Sequence, residues 1–273
     1  MIALCGIAKY ENDYIAEWVR HHLALGFDHV FIYDNNPPDY EPVVDRLQEF
    51  KEQVTIIPMS KIPADGWQEH AYTDCYRNYG SDFDWMAFFD IDEFLVLNDK
   101  IPLKQRLMNI TAENVLIPWK VYTWSRKIKR DVRNPVVSDF TEFTEKDCDI
   151  VKSILKTNIA SVLKNGVNVH GQYHAQTYSD IEGNVLVPTV PHGKKKGIMT
   201  RTCFSQFSNF GGCRVAELNH YWSKSLDEFI KFKLGRMINT GRNNAVKLIY
   251  KYCKTDAEQK FIEWYLQKQI DIK

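Results

Sequence analysis

The stretch Trp85–Leu97, WMAFFDIDEFLVL, constrains this chain more than any other. It is the most apolar run in the sequence, yet Asp90, Asp92 and Glu93 sit together inside it. Burying an unpaired carboxylate costs several kcal/mol, so acids in such a run belong at a strand's exposed end or beside a cation. Trp85–Phe89 has the length of a fully buried strand. In an extended chain Asp90 and Asp92, two residues apart, project to the same side. Two carboxylates at a strand's carboxyl end make half of a site for a hard divalent cation.

The residues before this run alternate between strand and helix signals. Ile2–Ala8 reads as a buried strand. Asn12 or Asp13 can cap a helix in which Ile15, Trp18, Val19, His22 and Leu23 follow helical spacing, and Gly26 stops it. His29–Tyr33 is a second strand, closed by the loop signal Asp34-Asn35-Asn36-Pro37-Pro38. A short helix over Pro42–Phe50, a strand over Val54–Pro58 and a helix over Asp65–Tyr79 complete the series. This alternation predicts a parallel sheet with helices on both faces. Ligands bind beyond the carboxyl ends of such strands. The loops there present Lys9 and Glu11, then Asp34 and Asn35, then Asp90, Asp92 and Glu93. No glycine-rich phosphate cradle follows the first strand, where the sequence is GIAKYEN. If the ligand carries phosphates, a carboxylate-bound metal takes over the cradle's work.

Beyond residue 97 the alternation degrades. The pattern predicts a helix over Pro102–Met108, one or two strands over Asn114–Trp124 and a basic loop over Ser125–Asn134. Short strands are expected at Lys152–Lys156, Ser161–Leu163, Asn168–His170 and Asn184–Val187. A basic turn follows at His192–Gly197, and Glu217–Trp222 is short and aromatic. Helices are expected over Leu226–Ile238, Asn243–Cys253 and Ala257–Ile270. The economical division is an α/β domain, 1–224, with a C-terminal helical extension, 225–273.

Composition is that of a globular chain, with 44% hydrophobic and 26% charged residues. A net charge of zero gives no general pull on nucleic acid. Acids dominate residues 1–100 and bases the remainder. This suits either an anionic ligand held between metal and Lys/Arg, or charged faces that are merely solvated. The six cysteines form no CxxC pair, which fits a reducing compartment. With no export signal and no run of transmembrane length, the expectation is a soluble, cytoplasmic protein. His21 and His22 read as packing or surface residues, and His170 and His174 as a strand-surface pair. Trp119 and Trp124 either stack on a sugar or pack. The basic, apolar segment Arg242–Lys254 either rests on an anionic membrane or packs on the domain.

Several segments in order resemble glycosyltransferases of the GT-A fold, in the family 2 and family 92-like group. They are the first strand followed by Lys9-Tyr10-Glu11, EWVRHHLALGFDHVFIYDN, the helix with Gln68, Ala71 and Tyr72, and FFDIDEFL. PWKVY, VKSI at Val151–Ile154, His170 and LNHYWSKS at Leu218–Ser225 follow. The resemblance implies a Rossmann-like, mostly parallel sheet and transfer of a sugar from a nucleotide-activated, by default UDP-linked, donor. It implies that Asp90 lies near the ribose and metal, and that Asp92 coordinates Mn²⁺ or Mg²⁺ bridging the diphosphate. It makes His220 the late histidine of the metal shell and places Lys9, Glu11, Asp34 and Gln68 on the donor. Lys152 or Lys224 assists there. The group often has asparagine where this chain has Tyr10, so that asparagine's contact is not carried over; it often has a glycine-containing loop where this chain has the basic TWSRKIKR, so the acceptor is expected to be an anionic glycan. Inverting transfer needs a carboxylate base. Asp139 and Glu142 are the chosen candidates, with Asp180 a further acid. The implied acceptor is a glycan or lipid-linked oligosaccharide of cell-surface polysaccharide synthesis, with peripheral contact at the inner membrane face through the basic C-terminal helices. Two other readings stay open: a sugar nucleotidyltransferase or metal-dependent phosphohydrolase, and a non-catalytic carbohydrate-binding relative.

Overall fold

The computed structural model describes residues 1–61, 67–144, 150–170, 174–189, 206–208, 215–234, 249–251 and 253–271. The first strand, β1 (Ile2–Ala8), is buried along nearly its whole length. It runs parallel to β2 (His29–Asp34) on one side and β4 (Trp85–Phe88) on the other, with Cys5 opposite both Phe31 and Phe88. β3 (Val54–Pro58) extends the parallel set beyond β2. Next to β4 the direction reverses: β8 (Val151–Lys156) is antiparallel to β4 and to β6 (Asn114–Tyr122). With β9 (Tyr178–Ser179) and β10 (Val185–Leu186), the strand order is β10-β9-β6-β8-β4-β1-β2-β3. The expected α/β sheet is present, its parallel half extended by an antiparallel flank.

The parallel strands read as continuous apolar runs because helices cover both their faces. α2 (Trp67–Tyr79) buries Ala71, Tyr72, Cys75 and Tyr76 against Ala3, Cys5, Phe31, Met86 and Phe88. α1 (Ile15–Leu25) lies against the other parity of β1. A Cβ on Gly6 would come within 2.9 Å of the Trp18 ring and 2.9 Å of Ile91 Cδ1. Glycine is therefore needed here for close approach, not for a turn. Ile15, Trp18, Val19 and His22 form the buried face of α1, and Gly26 ends it at φ 113°. The expected Asn12 or Asp13 cap is not used. Tyr14 and Ile15 donate instead to the Glu11 carbonyl at 3.0 Å each. Asn12 is drawn away to bond Glu41 O (2.8 Å) and Asn36.

Other expectations need correction. Pro42–Phe50 is two 3₁₀ turns, because Leu47 at φ −120° interrupts the helix. Ser161–Leu163 lies in a short helix, α5 (Ala160–Asn165), and Asn168–His170 forms no strand. The strand expected at Trp85–Phe89 is β4, and a second strand, which was not expected, follows the acids. The chain turns at Asp90, whose carbonyl accepts from Glu93 N–H at 2.9 Å, and resumes as β5 (Glu93–Leu97). Asp90 and Asp92 therefore sit on a turn, and the same-side argument for an extended chain does not apply to them. β5 pairs with β11 (Ala216–His220).

Between these lie α3 (Leu103–Asn109), α4 (Val136–Asp139) and β7 (Phe143–Thr144). The C-terminal region has α6 (Leu226–Glu228), which passes into a π-helical turn over Phe229–Leu234, and α7 (Asp256–Asp271). The basic turn at 192–197 and most of the expected helix at 243–253 fall outside the described residues.

The chain forms two compact units, Met1–Trp119 with Asp147–Asn219, and Lys120–Lys146 with His220–Lys273. The second has its own core of Trp124, Leu226, Phe229, Ile249, Ile262 and Leu266. There the basic loop is tied down: Lys127 O and Ile128 O accept from Leu226 and Asp227 N–H at 3.0 and 2.9 Å. Ser225 and Glu228 close a capping box over the same helix start. Among the described residues, no helix is long and apolar enough to cross a membrane.

Candidate active site

The strand order turns at β1, with β2 and β3 on one side and β4 on the other. Ligands of open α/β sheets lie beyond the carboxyl ends at such a point. Here the chain places its acidic turn. Asp90 accepts from three side chains: Gln68 Nε2 (2.5 Å) and Tyr72 OH (3.1 Å) on Oδ1, and Lys152 Nζ (3.1 Å) on Oδ2. Gln68 and Tyr72 are one turn apart on α2, so they reach the same point. Lys152 comes from β8, and its side chain has no exposed surface.

Glu93 lies beneath Asp90, also fully buried. Its Oε2 accepts from Asp90 N–H at 2.9 Å and stands 3.6 Å from Lys152 Nζ. Burial pushes the Glu93 carboxyl well above its ordinary range. Asp90 and Asp92 push the same way, while Lys152 opposes them. For Lys152, burial works against the ammonium, but Asp90 and Glu93 outweigh it and raise its pKa. Tyr72 is raised by burial and then by Asp90, so it stays a phenol that donates. Asp92 is 5% exposed.

The loops after β1 and β2 are knitted together. Tyr10, at φ 60°, donates its N–H to Asn36 Oδ1 (2.7 Å) and packs edge-on against Tyr40. That backbone region favours asparagine or glycine over a residue such as tyrosine. Asp34 spends both carboxylate oxygens on the loop, accepting from Asn36 N–H (3.0 Å) and Val43 N–H (3.2 Å). Lys9 sits 5.2 Å over the Trp67 ring at the start of α2.

Of the expected site residues, Asp90, Gln68 and Lys152 are brought into direct contact, with Asp92 and Glu93 on the same turn. His220, Asp139 and Glu142 belong to the second unit. His220 is buried at the end of β11. Asp139 accepts from Lys127 Nζ (2.9 Å) and Asn134 Nδ2 (3.3 Å) and faces Arg130 Nε (3.4 Å). Glu142 pairs with Lys254 Nζ at 3.2 Å. Lys224 is buried at φ 51°. Trp124 stacks on Phe261 in the second core, while Trp119 meets His170 edge-on at 5.3 Å. The contact of Tyr72 with Asp90 and the imidazoles of α1 are additions to the expected site, in which Glu93 was already on the acidic loop. The Tyr72 spacing from Gln68 was a readable signal; the depth of Glu93 was not.

Among the described residues, no three His, Cys, Asp or Glu side chains gather as a metal centre. Mg²⁺-type ions are commonly held by one or two carboxylates and completed by substrate phosphates. The hard oxygens of Asp92 and Asp90 fit that kind of site.

The sheet and its acidic turn define an α/β protein of Rossmann-like build, with a polar cluster beside the switch strand. More narrowly, the chain belongs to glycosyltransferase family 92, whose model matches residues 2–171. A family 92 protein of Ricinus communis is 34% identical over 97 residues, covering 35% of this chain and 16% of that protein. One from Oryza sativa subsp. japonica is 28% identical over 115 residues, covering 41% and 19%. The matched segment is thus under a fifth of either relative's length. The solved structure of apo UDP-glucose pyrophosphorylase aligns with a TM-score of 0.29 and 10% identity, over 60% of this chain and 80% of that one. A score that low establishes no common fold or activity.

Proposed function

We propose that this chain is a metal-dependent glycosyltransferase of the GT-A kind. It moves a sugar, with inversion, from a UDP-linked donor to a glycan or lipid-linked acceptor in cell-surface polysaccharide synthesis. It works in the cytoplasm at the inner face of the membrane. One observation carries the reading: Asp90 is fixed by Gln68, Tyr72 and Lys152 beside the switch strand, with Asp92 on the same turn. Asp90 has its orientation set before the donor arrives, so it can accept from a ribose hydroxyl without reorganising. Asp92 would hold Mn²⁺ or Mg²⁺, an ion that stabilises negative charge on the departing nucleoside diphosphate; His220 stays a ligand candidate through the resemblance alone. Lys9, Glu11 and Asp34 line the nucleoside side. Lys152 keeps the carboxylates from repelling one another. Asp139 and Glu142 both stay candidates for the base: Asp139 is paired with Lys127 and Arg130, and Glu142, 29% exposed, with Lys254.

The experiment is calorimetry with a panel of nucleotide sugars, with and without Mn²⁺. A UDP-sugar is expected to bind, and Mn²⁺ to tighten it. Asp92→Ala is expected to abolish the metal-dependent part while leaving the melting temperature unchanged or raised, because a carboxylate leaves an acidic turn. If no nucleotide sugar binds under either condition, the proposal fails.

A further inference from the structure

β5 follows the acidic turn directly, and among the described residues it pairs with one strand, β11. In an extended strand, residues two apart present their N–H and C=O groups to the same edge. Glu93 and Leu95 are such a pair, and α1 covers that edge with side chains. Trp18 Nε1–H donates to Glu93 O at 2.7 Å. His21 Nε2–H donates to Leu95 O at 2.7 Å. Leu95 N–H donates to His22 Nε2 at 3.3 Å. His22 Nδ1–H donates to Trp18 O at 2.9 Å, which fixes the tautomer that leaves Nε2 as acceptor. Positions 18, 21 and 22 share one helical face. One indole and two imidazoles thus do at this edge the hydrogen bonding that a neighbouring strand would do.

The bonds lie close to the chemistry. Glu93, whose carbonyl Trp18 holds, also closes the turn, through its N–H to Asp90 O and its carboxylate to Asp90 N–H. Ile91 rests at the Gly6 gap beside the Trp18 ring. Asp92 is therefore fixed on both sides by contacts to α1.

We propose that Trp18, His21 and His22 are positioning residues, a side-chain clamp on β5 that presents Asp92 in one geometry to the cation on the donor diphosphate. The cation part rests on the donor reading above; the clamp does not.

Two measurements separate the two parts. In the full chain without ligand, His22→Leu removes both imidazole bonds and is expected to speed hydrogen exchange at the Leu95 amide by at least about tenfold. In calorimetry, the same variant is expected to weaken Mn²⁺-dependent UDP binding by about tenfold or more, the usual effect of losing a group that orients a ligating residue. Turnover at saturating Mn²⁺ and donor should change far less than the KM for the metal. His22→Gln, whose amide oxygen can accept from Leu95 N–H, is expected to recover both exchange protection and binding. Trp18→Phe keeps an aromatic side chain, smaller than the indole, and deletes the N–H donor. It carries the binding test if His22→Leu does not fold. Unchanged Leu95 exchange in folded His22→Leu overturns the clamp. Unchanged Mn²⁺-dependent UDP binding in a folded variant overturns the positioning of Asp92. No UDP binding in the unaltered protein overturns the donor reading and its cation, and leaves the exchange result to decide the clamp.

Discussion

Lys152 has no exposed side-chain surface and faces two carboxylates, Asp90 at 3.1 Å and Glu93 at 3.6 Å. Removing one partner from a buried ionic group leaves the others uncompensated. Lys152→Met is expected to cost about 3–5 kcal/mol at neutral pH. The cost should depend on pH. The Glu93 carboxyl is already raised by burial, and without Lys152 it rises further. A folded-state pKa above the unfolded 4.5 gives stability that is full below that value and lost as pH rises through the folded one. Urea unfolding of the variant should therefore show greater stability at about pH 5 than at about pH 7.5. Equal stability at both would rule Lys152 out as the counter-ion. His22 has the opposite sign. Burial and then His21 hold its pKa well below 6.5, so the unfolded chain protonates first. Its contribution is present above 6.5 and lost as pH falls from there toward the folded value. The melting temperature of the wild type should drop between about pH 7 and about pH 5, and less so in His22→Gln. Neither behaviour was legible in the sequence. Lys152 entered only through the resemblance, as a residue assisting at the donor, and His22 read as packing or surface, because burial depth is a property of the finished sheet.

The acidic run shows which information an element carries. Apolar composition announced buried strands, and it was right that Trp85 begins one. It did not show the break: a turn at Asp90–Glu93 sends the second half, β5, to pair with β11. Periodicity cannot see a partner that lies more than a hundred residues away. The helix α1 was legible from Ile15 to Gly26 because its signals are local, the spacing of its apolar face and a left-handed stop. Its cap was not, since Asn12 is taken by the neighbouring loop. Gly6 joins these elements. An added methyl would meet the Trp18 ring and Ile91 Cδ1 at 2.9 Å each, and both side chains are buried. Gly6→Ala is expected to destabilise by about 1–3 kcal/mol, the cost of overpacking. Chemical denaturation would measure it. Binding of a nucleotide sugar with Mn²⁺ should suffer more than in a surface control such as Lys51→Ala, because the displaced Ile91 sits between Asp90 and Asp92. A Gly6→Ala protein of wild-type stability would mean that the turn does not rest on this gap.

At the scale of the whole molecule, a contiguous division at residue 224 was the simplest reading of a strand-rich part followed by helices. The compact units are drawn differently, because residues 120–146 fold with the C-terminal region. Their reasons are chemical. Trp124 packs in one core with Leu226, Phe229, Ile262 and Leu266. The basic loop's carbonyls at Lys127 and Ile128 take the first N–H groups of α6. Arg130, with its side chain 1% exposed, lies between Asp139 and Glu228. Arg126 reaches Glu258 on α7. Much of the basic character that suggested an anionic acceptor is thus committed to acids of the same unit, which composition could not reveal. This has a direct test in a chain cut after Lys224. Were the C-terminal helices a mere extension, residues 1–224 would fold and stay soluble. The contacts above say otherwise: the cut removes Leu226, Phe229, Ile262 and Leu266 from around Trp124 and takes Glu228 away from Arg130. The exposed apolar surface costs about 25 cal/mol per Å², against a total stability of only about 5–15 kcal/mol. The fragment is expected to aggregate or to melt well below the full chain, with hydrogen-exchange protection lost first across residues 120–144. A soluble fragment 1–224 with native protection there would return the division to residue 224.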